Sequence, residues 1–108
     1  MLTNIETLIR GISPDKILIN HILSWEADFY LNENGRAFRR ITQKERANSK
    51  EYLDFDFEKE RLIPLFDLSD NNYIVYQTNK NSYGIFNLID EVITDEQENF
   101  LKLIKSLN

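Results

Sequence analysis

A chain of 108 residues, 42% hydrophobic and 12% aromatic, has the size and apolar content of one domain with one core, which excludes global disorder. It has no cysteine, so a disulfide framework, a thiolate metal site and a thiol nucleophile are all ruled out. Its net charge of −5 argues against general affinity for a nucleic-acid backbone, because phosphate binding draws on Lys and Arg.

In chain order, Ile5, Leu8, Ile9 and Ile12 recur at helical spacing, predicting a short helix from Asn4 to Ile12 with Gly11 near its end. Ser13, Pro14 and Asp15 then supply a cap, a first-position proline and a first-turn acid. They start a second helix whose apolar face carries Ile17, Leu18, His21, Ile22, Trp25 and Phe29, and which is expected to stop near Leu31. The stretch from Asn32 to Gly35 reads as a turn, and Ala37 to Ile41 as a short strand or a loop. Thr42 with Glu45 makes a capping box for a mostly exposed third helix.

From Tyr52 to Glu60, Leu53, Phe55 and Phe57 alternate with Asp54, Asp56 and Glu58, as in a half-buried strand, although a frayed helix end fits the same letters. Leu62 to Phe66, Tyr73 to Gln77 and Tyr83 to Leu88 then predict a three-strand antiparallel meander. Pro64 cannot donate to a ladder, so the first of these strands should lie at an edge or begin irregularly. Thr94, with Asp95, Glu96 and Gln97 behind it, predicts the start of a closing helix carrying Phe100, Leu101, Ile104 and Leu107 inward. The expected architecture over 1–108 is a single α+β domain, an antiparallel meander with N-terminal helices and a C-terminal helix packed on one sheet face.

The runs Leu62-Ile63-Pro64-Leu65-Phe66-Asp67, Asp70-Asn71-Asn72-Tyr73-Ile74-Val75-Tyr76 and Tyr83-Gly84-Ile85-Phe86-Asn87-Leu88-Ile89-Asp90-Glu91 together resemble the SUKH superfamily. Those proteins are similar to a fungal cell-wall-synthesis regulator, and many bacterial members are immunity proteins that neutralise polymorphic toxins. The likeness spans Leu62 to Leu107, and Phe29 to Gly35 looks like the family helix that ends in an Asn-Gly turn, without the usual Leu-Pro lead-in. It implies a fold and a binding role, and it carries over no functional residues.

Catalytic and cofactor chemistry finds little material. His21 is the only histidine and sits on an apolar helix face, where a structural role is the plainer account; one His with scattered acids makes no zinc site. Three glycines are too sparse for a phosphate-cradling loop. No cofactor and no metal are expected, and the chain reads as a non-enzyme.

Two charged groups are candidates for binding. Asp54, Asp56, Glu58 and Glu60, which a strand would project from one face at steps of roughly 7 Å, form with Asp67 and Asp70 an acidic surface for a basic protein. A solvated acidic edge that discourages strand pairing is the plainer account. Arg36, Arg39, Arg40, Lys44, Arg46 and Lys50 face only Glu45, a local charge of +5 that leaves −10 on the remainder. That segment is either a nucleic-acid-binding patch or a solvated basic helix face.

The leading expectation is an immunity-type inhibitor of a nuclease-type toxin; the alternatives are a phage-type anti-defence inhibitor that mimics DNA, and a nucleic-acid-binding module. Met1 runs into Leu2, Thr3 and Asn4 with no basic n-region or long apolar run, so a cytoplasmic location and no membrane contact are expected.

Overall fold

A computed structural model describes residues 3–5, 19–20 and 22–107. Among them a seven-stranded sheet runs in sequence order: β1 (Thr3–Asn4), β2 (Phe29–Leu31), β3 (Ala37–Arg40), β4 (Leu62–Ser69), β5 (Asn72–Gln77), β6 (Ser82–Asn87) and β7 (Val92–Gln97). From β2 to β7 every pairing is antiparallel, and β1 adds to β2 in parallel. Two helices complete the described elements, α1 (Gln43–Leu53) between β3 and β4 and α2 (Phe100–Ser106) after β7. The α+β class and the antiparallel meander therefore hold. No helix among the described residues is long and apolar enough to cross a membrane.

The predicted second helix lies partly outside the described residues, as do its Ser13-Pro14-Asp15 start and His21, and most of the predicted first helix. What is described corrects both ends. Asn4 belongs to β1 and Phe29 to Leu31 to β2, with the helical stretch ending by Leu23. Trp25 and Phe29 share a helical spacing, but Tyr30 pairs with Phe38 and Leu31 with Ala37, and ladder formation overrides the local pattern. The Asn-Gly turn stands as expected, with Gly35 at a φ of 82° and its N–H donating to the Asn32 carbonyl.

The Thr42 hydroxyl accepts from the Glu45 N–H and the Glu45 carboxylate accepts from the Thr42 N–H, so the capping box starts α1 as expected. After Leu53 the chain turns: Asp54 ends the helix in a left-handed conformation, Asp56 Oδ1 accepts from the Lys59 N–H, and Arg61 has a φ of 60°. Residues 54–60 are not a strand, and their acids do not form a single-faced row.

β4 is an interior strand rather than an edge, flanked by β3 and β5. Pro64 is accommodated because β3 pairs only with Asp67 and Phe66, and because the β4–β5 register shifts between Pro64 and Phe66. The β4–β5 hairpin closes through Asp70 and Asn71, both at positive φ as a two-residue turn of the primed type requires. The segment from Val92 to Gln97 is β7, not the first turn of a helix: Ile93 pairs with Phe86 and Val92 with Asn87, and Asn99 caps α2 by accepting from the Lys102 N–H.

Alternation along the strands builds two buried clusters. One joins Ile22, Trp25, Tyr30, Phe38, Phe66, Tyr83 and the α2 residues Phe100, Leu103 and Ile104. The other joins Ile41, Phe57, Leu62, Tyr73, Val75 and Phe86, with Leu53 and Phe55 packed against it. Along β5, Tyr73 and Val75 belong to the second cluster and Ile74 and Tyr76 to the first, so the two lie on opposite sheet faces. Apolar cover is thus drawn to both faces, where one had been expected.

Candidate functional site

The basic segment folds its guanidinium groups into the protein. Arg39 stands opposite Asp67 in the β3–β4 ladder and bridges it at 3.0 Å, while its other amino group reaches Glu45 at 2.9 Å. The same Glu45 closes the capping box, so one acid ties α1 to the sheet. The Glu45 hydrogen bond, resisted by partial burial and aided by Asp67, pushes the Arg39 pKa upward. Burial works to raise the Glu45 pKa, but the bonds from Arg39 and Thr42 together outweigh it and hold the carboxyl below its ordinary range.

Arg36 donates to the Leu68 carbonyl, and Arg40 to the carbonyls of Ala27 and Glu26, with Asp28 at 3.7 Å. Arg46 donates to the carbonyls of Ile41 at 2.7 Å and Pro64 at 3.4 Å. All four arginines are only partly accessible, and of the predicted basic group only Lys44 and Lys50 are exposed. The arginines of the expected nucleic-acid patch thus commit part of their donors to internal acceptors. Charge counts in the sequence do not distinguish an arginine aimed at main-chain carbonyls from one aimed at solvent.

The predicted acids separate. Asp67 is held by Arg39 and also accepts from the Ser69 N–H, and Asp56 is engaged with Lys59. Asp54, Glu58, Glu60 and Asp70 are exposed, spread over the α1 end, the 57–61 turn and the β4–β5 hairpin. Pairing of Asn72 with Asn87, and the bond from the Leu88 N–H to the Asn71 carbonyl, bring the β4–β5 hairpin beside the β6–β7 turn. Asp70 is thereby placed at the same sheet end as Asp90 and Glu91, where the neighbouring Ile89 is 71% exposed. Sequence reading missed Asp90 and Glu91 as partners of Asp70; the signal was two acidic turns on alternate hairpins of one meander, which must fall at the same sheet end.

A second feature is local to α1. Ser49 is its only buried residue, and cavities lie on both of its flanks. The smaller, about 320 Å³, is walled by Ile41, Leu53, Phe57, Pro64 and the rings of Tyr52 and Tyr73, with Arg39 and Glu45 at its polar end. Burial, and next the nearby Asp67 charge, raise the Tyr73 pKa, keeping its hydroxyl protonated. Among the described residues no three His, Asp or Glu side chains group closely enough to hold a metal ion. A comparison with family models, curated proteins and solved structures finds no match.

Proposed function

We propose that this chain is a non-catalytic binding module of the cytoplasm, an immunity-type inhibitor that neutralises a basic, nuclease-type toxin. The observation that carries the reading is the outward charge. Among the described residues thirteen carboxylate side chains are exposed against seven cationic ones, because the arginines of the basic segment are turned to internal acceptors. An acidic exterior raises the association rate with a basic protein and disfavours nucleic acid. The exposed Ile89, in one turn with Asp90 and Glu91 and at the sheet end that carries Asp70, adds an apolar residue among acids, the composition of a protein contact. The resemblance of the Leu62–Leu107 pattern to the SUKH superfamily supplies the immunity role.

The test is capture by the tagged full-length chain from its host's lysate, with mass spectrometry at low and high salt, followed by binding of the purified pair. The reading expects one stoichiometric basic protein, bound less tightly as salt rises and less tightly by a chain carrying Asp70→Asn, Asp90→Asn and Glu91→Gln. Co-expression should then suppress that protein's toxicity. Capture of nucleic acid alone, or a partner indifferent to those acids, would overturn it; capture of a nucleic-acid-guided effector would replace immunity with anti-defence.

A further inference from the structure

On an exterior dominated by carboxylates, one cation is out of place. Arg46, in the first turn of α1, is partly withdrawn from water, yet among the described residues no carboxylate lies within ion-pair distance of it, whereas Arg39 has two and Arg40 one. Main-chain carbonyls of Ile41 and Pro64 satisfy one amino group of its fork. Removing a cation from water against dipoles alone is costly, and a counter-anion would offset that cost. Burial, and then the Arg40 charge, press the Arg46 pKa below its ordinary value, with Glu45 pulling weakly the other way.

The larger cavity beside α1, about 780 Å³, opens onto this side chain. Its volume lies within the usual range of small-molecule sites. Lys50 and Arg61 line it with Arg46, and Phe57, Leu62 and Pro64 supply an apolar wall. Asp56 and Glu58 also line it, so three cations stand against two acids and the lining keeps a net charge of +1; neither acid pairs with Arg46.

We infer that the cleft between α1 and the start of β4 is an anion-binding site for a small organic phosphate or carboxylate. The charged group meets the Arg46 fork with Lys50 and Arg61 beside it, and the apolar part lies on Phe57 and Leu62. A planar guanidinium suits either headgroup, since both accept two parallel N–H bonds. The inference does not depend on the protein-binding role, because it rests on a different surface.

The experiment is a titration of the ¹⁵N-labelled full-length chain, at fixed ionic strength, with phenyl phosphate, benzoate, inorganic phosphate and the neutral control benzamide. Saturable shifts confined to the amides of α1 and of residues 56–64 are expected with phenyl phosphate and benzoate, weaker ones with inorganic phosphate, and none with benzamide. Either order of the two organic anions supports the site and identifies its headgroup. Lys50→Gln and Arg61→Gln, both at exposed positions, should each weaken binding by about threefold to tenfold while leaving the spectrum folded. Arg46→Lys keeps the charge and loses the fork, and should weaken binding by about tenfold. The site is refuted if millimolar anion produces no saturable shift, if benzamide binds as well as benzoate, or if these variants bind like the parent chain.

Discussion

The two faces of the sheet treat their helices differently. On one face α2 is only seven residues long, yet Phe100, Leu103 and Ile104 are all buried in one cluster, and the Phe100 ring lies 6.3 Å from Phe66 and 5.0 Å from Tyr83. Its C-terminal carbonyls are also tied down, since the Asn32 amide donates to Ile104 and Leu107 and the Asn34 amide to Lys105 and Leu107. On the other face α1 is eleven residues long and buries Ser49 alone; it is held by its cap, by Arg39 and Glu45, and by Arg46. Hydrophobic packing fixes the first helix, and polar ties with cavities beside them position the second. Binding sites belong on the second kind of surface, where groups are oriented without being filled in.

The comparison breaks most visibly at the aromatic cores. Phe66 touches Trp25, Tyr30, Phe38 and Phe100, and Phe66→Ala should cost about 3–5 kcal/mol by urea denaturation. Phe57→Ala, next to both cavities, should cost about 3 kcal/mol or less, because a site bordering open space collapses more readily. Equal losses would remove the distinction between the faces. Next in size is Asn32→Ala, which strips a buried amide from two helix-end carbonyls and the acceptor from the Arg36 N–H; about 1–3 kcal/mol should be lost, with fraying of α2.

Gly84→Ala should cost about 1–2 kcal/mol, since the new methyl would lie 2.5 Å from Ile93 Cγ2 and 3.3 Å from the Thr94 carbonyl oxygen, and only the Ile93 side chain can yield. Thr42→Ala should cost about 1 kcal/mol and fall on α1 alone, read as lost helical signal with the sheet intact.

The smallest effect is on pH dependence. Glu45 has its folded pKa below the ordinary 4.5, so its contribution is present above that value and is lost as pH falls through the folded value. Glu45→Gln should therefore flatten the acid limb of the stability curve below about pH 4.5 relative to the parent chain, and an unchanged limb would show that the Arg39 tie carries no stability.

Local chemistry was legible where one interaction decides the outcome. Thr42 with Glu45 read as a capping box and is one, the Asn-Gly turn is in place, and the β-branched and aromatic runs of β4, β5 and β6 are strands. The misreadings share a cause. Thr94 with Gln97 spells the same capping pattern as Thr42 with Glu45, but Val92 and Ile93 find partners on β6, and the cap passes to Asn99. Phe29 continues a helical spacing until β3 offers Tyr30 a ladder. Alternation from Leu53 to Glu58 imitates a strand, while Asp54 in a left-handed conformation and the Asp56–Lys59 bond make it a turn that still delivers Phe55 and Phe57 to one cluster.

Of the candidate site, the charges themselves were legible and their directions were not. Arg39 is committed to Asp67 and Glu45 by strand register and a helix cap, which only the assembled sheet brings together. The Arg46 cleft requires α1 to lie across β4, a relation between segments with no local signature.

The most direct test of the contrast between the faces is native-state hydrogen exchange of the unliganded chain. The account predicts that the hydrogen-bonded amides of β4 to β6 and of Leu103 and Ile104 exchange only through near-global unfolding, while the amides of residues 47–53 in α1 exchange through local opening at much lower protection. Protection of α1 equal to that of the sheet would contradict it.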